Sequence, residues 1–259
     1  MTMPSSPALT LDVQNVSVHF GGLLALSDVS FSVDAHEIVG LIGPNGAGKT
    51  TAFNVICGFI KPSTGSVQFP ALDRQNLKPS HLARAGVART LQAVGLFERL
   101  SVLENVMAGA QSRHGGGLAA SLFGLPSSSR GERTLRDEAL AMLERLGVVS
   151  FAAAMPDAIP YGIAKKVAVA RALMANPSLL LLDEPASGLD EHELDEFAHL
   201  ISELRTSMSV LLVEHNMDFV MPLVHRLVVL NFGQVIASGT PSEISHNETV
   251  LAAYLGVDQ

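Results

Sequence analysis

Hydrophobic and polar positions change period several times along the 259-residue chain. In "LDVQNVSVHF" (11–20) and "VSFSVDAHEIVGLIG" (29–43) apolar and polar residues alternate, which predicts antiparallel strands. Within the second stretch, "EIVGLI" (37–42) is a continuous apolar run that stops at Gly43, the pattern of a buried strand. "TAFNVICGFI" (51–60) then puts Ala52, Val55, Ile56 and Phe59 at helical spacing. From about Ala83 to Met155 the period is helical, in "SVLENVMAGA" (101–110) and in "TLRDEALAMLERLG" (134–147), with Gly147 as a stop. Between these two helices "HGGGLAASLFGLPSSSRGE" (114–132) is rich in Gly and Ser and predicts a mobile surface loop.

After Ala164 helices and strands alternate again. "KKVAVARALMANP" reads as a helix ended by Asn-Pro, and "DEHELDEFAHLISELRT" as an amphipathic helix. "SLLLLDEP" and "SVLLVEH" read as buried parallel-type strands. "RLVVLNFGQVIASG" reads as a hairpin turning at Phe232–Gly233, and "ETVLAAYLG" as a closing helix. This order predicts an α/β fold: a mostly parallel sheet, an antiparallel β portion near the start and an inserted helical portion.

Composition narrows the function. The chain is 47% hydrophobic and supports a substantial core. It carries 17 basic against 25 acidic residues, a net charge of −8, which argues against nucleic acid as a partner. The one cysteine, Cys57, lies in the helix predicted after Gly48 and has no partner for an internal disulfide, as suits a reducing compartment. No run of 18 apolar residues is present, so no membrane span is expected. "MTMPSSPALT" lacks the basic-then-apolar order of a secretory signal and reads as a short disordered lead.

The chemistry begins at "LIGPNGAGKT" (41–50), which fits G-x-x-x-x-G-K-[ST] through Gly43, Gly48, Lys49 and Thr50, with Asn45 and Gly46 inside the loop and Thr51 after it. Glycines let backbone N–H groups converge on phosphate oxygens where a Cβ would block approach. Lys49 is placed to reach the β- and γ-phosphates, and the Thr50 hydroxyl to ligate Mg²⁺. The helix that follows aims its N-terminal dipole at the anion. A plain Gly-rich turn is the alternative, against which stands the strand–loop–helix setting.

Two further strand ends carry polar groups. "LLLL" ends in Asp183 and Glu184. Strand ends of an open parallel sheet are where ligands bind, so Asp183 is a candidate to hold Mg²⁺ with Thr50, and Glu184 to accept a proton from the attacking water. "LLV" ends in Glu214 and His215, whose imidazole can hydrogen-bond a γ-phosphate oxygen or serve only structure. Gln92 can orient water and touch Mg²⁺. Phe20 is either an adenine stacker or a core phenylalanine.

In this order the segments resemble ABC-type ATPase subunits over nearly the whole chain. Within that family "FGGLLALSDVSF", "GLIGPNGAGKTTAFNVICGFIKPSTG", "RTLQAVGLFERLSVLENV", "LLVEHNMDFVM" and "IASGTP…LAAYLG" are similar to the LivG-like subunits of branched-chain amino acid importers. The resemblance implies a P-loop (RecA-like) ATPase core from about 9–90 and 165–240. It implies an antiparallel β subdomain, a helical subdomain from about 91–164 and a helical tail from 241–259. It implies ATP and Mg²⁺, with catalytic or sensing roles for Glu184, His215 and Gln92 and adenine stacking on Phe20. Two ATPase subunits, hetero- or homodimeric, would pack head to tail. Tyr161, Gly162 and Asp190 would then complete nucleotide contacts across that interface. Two transmembrane permease subunits, and indirectly a solute-binding protein, would be partners at the cytoplasmic face of the membrane.

The sequence departs from the family's Leu-Ser-Gly-Gly-Gln signature. Here "IPYGIAKK" (159–166) has Pro160 in place of the serine and Ile163 in place of the glutamine. Proline brings neither a hydroxyl nor an N–H. Removing one donor to a transition-state charge costs about 3–4 kcal/mol where it has been tested. A proline pre-shaped for the helix start offsets part of that. Two other readings are a soluble ABC-type protein of ribosomes or DNA and a non-hydrolysing nucleotide-binding regulator. A single phosphate loop without sustained heptads weighs against the first, and intact Glu184 and His215 against the second.

Overall fold

The computed structural model describes residues 9–70, 74–76, 78–90, 94–112 and 129–255. Gln92 and most of the segment 114–132, like the first eight residues, lie outside them. Strand β1 (Leu9–Phe20) and strand β2 (Leu23–Asp34) form a long antiparallel pair. Strand β3 (Ile38–Ile42) leads into helix α1 (Lys49–Ile56). Strands β4 (Thr64–Phe69) and β5 (Arg74–Gln75) return to β1, giving the order β2-β1-β4-β5.

A short helix α2 (Pro79–Leu82) precedes strand β6 (Val87–Arg89). Helices α3 (Val102–Ala108), α4 (Ser129–Arg145) and α5 (Tyr161–Leu173) pack on one another. Strand β7 (Leu179–Asp183), helix α6 (Glu191–Leu204), strand β8 (Ser209–Val213) and helix α7 (Met217–Val220) follow. Strands β9 (Arg226–Asn231) and β10 (Gln234–Gly239) form a hairpin, and helices α8 (Pro241–Ser245) and α9 (Glu248–Leu255) come last. The second sheet runs β10-β9-β3-β8-β7-β6, parallel except for β10.

The central strands are buried on both faces, which is why they read as unbroken apolar runs. Ile38, Ile42, Val210, Leu212, Leu180 and Leu182 face one core, shared with α3, α4, α5 and α6. Val39, Leu41, Leu211, Val213, Leu179 and Leu181 face the other, shared with α1 and the antiparallel sheet. Cys57 is fully buried in that second core. Burial pushes its thiol up to about 11, against the nearby Arg89 guanidinium, which opposes the shift. Arg226 joins the two sheets: its Nε and Nη2 donate to the Glu37 carboxylate at 2.9 Å each, and Nη2 also to the Ser32 carbonyl at 2.8 Å.

Two expectations change. The alternation read through 29–43 is two strands in different sheets, β2 antiparallel and β3 parallel, broken at His36 with φ +61°. Helix α4 starts at Ser129, so 129–132, read as loop, belong to its first turn. Ser and Gly residues weaken helix propensity but do not stop a helix whose later turns bury Leu135, Ala139 and Leu143.

Candidate functional site

Strands β3 and β7 flank β8, so their C-terminal ends come out on one edge of the sheet. At the end of β3 the chain turns through Gly43, Gly46 and Gly48, with φ of +151°, +79° and +103°. These are conformations that side chains rarely adopt. Gly48 is the N-cap of α1, and Lys49 and Thr50 open the helix. The loop thus brings its N–H groups and a helix N-terminus to one concave surface. Lys49 is 8% exposed, and its ammonium donates to the Gly43 carbonyl at 2.7 Å and the Pro44 carbonyl at 2.9 Å. Burial pulls its proton affinity below that of an ordinary lysine, and the charge on Glu184 opposes this.

A cavity of about 430 Å³ opens over this loop. Asn45, Gly46, Gly48, Lys49, Thr50 and Thr51 line it, together with Phe20, Leu23 and Leu24. Phe20 lines the cavity and is half-exposed, which excludes the core reading and is compatible with stacking. Glu184 lines the same cavity. So does Phe232, which the sequence reading placed in a hairpin turn without assigning it to the site. Phe232 is 87% exposed with φ +44°, followed by Gly233 with φ +77°, a turn form that favours Asn or Gly at its first position. The turn is tied to the loop by Gly233 N–H donating to the Ala47 carbonyl at 2.9 Å.

Asp183 and Glu184 follow from β7. The Glu184 N–H donates to the Val213 carbonyl at 2.9 Å, extending the ladder, yet its φ is +48°. A left-handed glutamate is strained, and such strain collects at sites of function. Burial raises the Asp183 carboxyl above its ordinary range, the Glu184 charge adds to this, and Arg89 opposes it. His215 Nδ1 lies 3.9 Å from Glu184 Oε1 and 3.8 Å from Glu214 Oε2, so the two strand ends meet.

Thr50 and Asp183 are hard oxygen donors of the kind that suits Mg²⁺, which takes one or two protein ligands and completes its shell with phosphate and water. Among the described residues no group of three His, Cys, Asp or Glu forms a metal cage, which that mode does not require.

Asp183, His215, Tyr161, Gly162 and Asp190 do not line this cavity. Pro160 is the N-cap of α5 with φ −56° and ψ 152°, and no side chain caps that helix. Tyr161 lies against Gly188, and Gly162 against the Glu193 carboxylate. Asp190 caps α6, its carboxylate accepting from the Glu193 N–H at 2.8 Å while Glu193 accepts from the Asp190 N–H at 3.1 Å. The start of α5 and the 188–190 turn therefore lock together within one chain.

A glycine loop on a buried strand, a lysine at the head of the next helix and an acidic end two strands away define a phosphate-loop nucleoside triphosphatase. A family model described as ABC transporter matches residues 26–187, and one described as branched-chain amino acid ATP-binding cassette transporter matches residues 234–259. The chain belongs to the ABC transporter family.

It is 40% identical over 248 residues to the high-affinity branched-chain amino acid transport ATP-binding protein LivG of Salmonella typhimurium, covering 95% of this chain and 97% of that one. A solved ATP-binding cassette of an ABC transporter in its ADP conformation has a TM-score of 0.80 at 28% identity, covering 96% of this chain and 99% of that one. A dimeric cassette in a post-hydrolysis state, bound to ADP and phosphate, has a TM-score of 0.72 at 26% identity, covering 89% and 98%.

Proposed function

We propose that this chain binds and hydrolyses ATP and so energises a membrane importer of branched-chain or related amino acids. The observation that carries the proposal is that Glu184 opens onto the same cavity as Lys49 and Thr50. The phosphates fit the loop, with Lys49 leaving the Gly43 and Pro44 carbonyls for the β- and γ-oxygens. Phe20 stacks the base, and the exposed Phe232 closes the cavity beside it. Glu184 orients a water molecule and accepts its proton as the water oxygen attacks the γ-phosphorus. The bond from that phosphorus to the β,γ-bridging oxygen breaks, leaving ADP and phosphate. His215, in contact with Glu184, hydrogen-bonds the departing phosphoryl oxygen. Thr50 and Asp183, with Gln92 as a further candidate ligand, would hold Mg²⁺, which would offset the charge on the phosphates.

The branched-chain assignment rests on the C-terminal match and on the similarity to LivG. Among the described residues no helix is long and apolar enough to cross a membrane, so the transport path belongs to partner subunits. We assign their docking to a groove of about 410 Å³ lined by Phe59, Leu82, Arg89, Phe97 and Arg171. Phe59 and Phe97 are both more than half exposed there. We take 91–164 as a helical subdomain that completes a second subunit's site through Tyr161 and Gly162. The test is uptake of labelled leucine into vesicles holding the reconstituted transporter. Uptake should require internal ATP and should vanish with Lys49→Ala in this chain; ATP-independent uptake would contradict the proposal.

A further inference from the structure

Two buried charges outside the catalytic set converge on the backbone of residues 184–187. Lys165, on the second turn of α5, is 7% exposed. Its ammonium donates to the carbonyls of Glu184 at 3.3 Å, Pro185 at 2.6 Å and Ser187. Glu214, at the end of β8, is fully buried. Its carboxylate accepts from the N–H groups of Ala186 at 2.6 Å, His215 at 2.9 Å and Asn216 at 3.2 Å. The segment is thus held by a cation through three carbonyls and by an anion through the N–H between them. Burying a lysine and a glutamate is costly unless each is compensated. Here each meets three backbone groups, and Glu214 and Glu184 counter the loss of proton affinity that burial imposes on Lys165.

The placement of these contacts is selective. Lys165 holds the carbonyl of Glu184, the residue whose backbone is forced to φ +48°. Glu214 holds, with one carboxylate, both the loop after Glu184 and the N–H of His215. The separation of Glu184 and His215 therefore depends on Glu214, and the orientation of Glu184 on Lys165. Lys165 also belongs to the helix that begins at Tyr161, whose ring centroid lies 5.3 Å from the ammonium.

We propose that Lys165 and Glu214 are a paired positioning device that holds Glu184 in its hydrolytic geometry. Neither lines the nucleotide cavity, so the device acts on turnover and not on ATP binding. The inference rests on the ATPase reading of this site.

The experiment measures phosphate release and equilibrium binding of a fluorescent ATP analogue by the full-length chain. Lys165→Met should lower kcat by about tenfold to a hundredfold, the cost of a misplaced reacting group. Its KM and analogue affinity should stay within about twofold, since ground-state binding is untouched. Lys165→Arg, which keeps a cation and donors, should recover most of kcat. Glu214→Gln, which keeps shape and removes the charge, should show the same split and serves if Lys165→Met does not fold. A kcat unchanged in Glu214→Gln, or in Lys165→Met where that variant folds, would overturn the proposal, as would kcat and affinity falling together. Absence of turnover in the unaltered chain would instead contradict the ATPase reading itself.

Discussion

A methyl group built on Gly43 would stand 2.1 Å from the Leu230 carbonyl oxygen, a backbone atom of β9 that cannot move aside cheaply, and φ there is +151°. Gly43→Ala should therefore destabilise the fold by about 2 kcal/mol or more, through overpacking and strain together. The denaturation midpoint in urea is the readout; an unchanged midpoint would mean that the loop relaxes freely. The residues of this loop were legible because the motif is local: eight consecutive positions, Gly43 to Thr50, fix the chemistry. The strand ends at Asp183, Glu184 and His215 were legible for the same reason. Phe232 in the cavity, and Lys165 and Glu214 on the backbone of 184–187, were not. Lys165 sits in an ordinary helical stretch, Glu214 was seen only as a polar strand end, and their meeting at 184–187 depends on sheet order.

Apolar runs bounded by polar residues located the buried strands 179–183 and 209–213 to within a residue or two. Helix starts were less sharp, although the signals were present: Ser101 with Glu104, Asp190 with Glu193 and Thr240 with Glu243 each form a reciprocal capping box. Helix α5 has no such cap, since proline stands at its N-cap position. Pro160→Ser should add a capping hydroxyl worth about 1 kcal/mol of stability. If this helix completes a second subunit's site, the change should also raise hydrolysis there. The reconstituted transporter, with one subunit's candidate base at a time changed from Glu to Gln, separates the two sites. An equal rate with Pro160 and with serine would show that the hydroxyl is dispensable.

For the whole molecule, alternating helices and strands gave the fold class, because parallel strands need helical crossovers. What pattern could not reveal was that β3 leaves the antiparallel sheet for the centre of the parallel one. That step places the glycine loop, Glu184 and His215 along one sheet edge, and the account of function depends on it. One solved cassette similar to this chain is dimeric with ADP and phosphate bound. The direct measurement is phosphate release, ATP binding and sizing of the Glu184→Gln protein. The amide keeps the shape of the side chain and loses its capacity to accept a proton. The variant's MgATP affinity should stay within about twofold of the unaltered chain, its turnover should fall by about a hundredfold or more, and it should run as an ATP-bound dimer on sizing. Near-normal turnover by Glu184→Gln would contradict the catalytic role of Glu184.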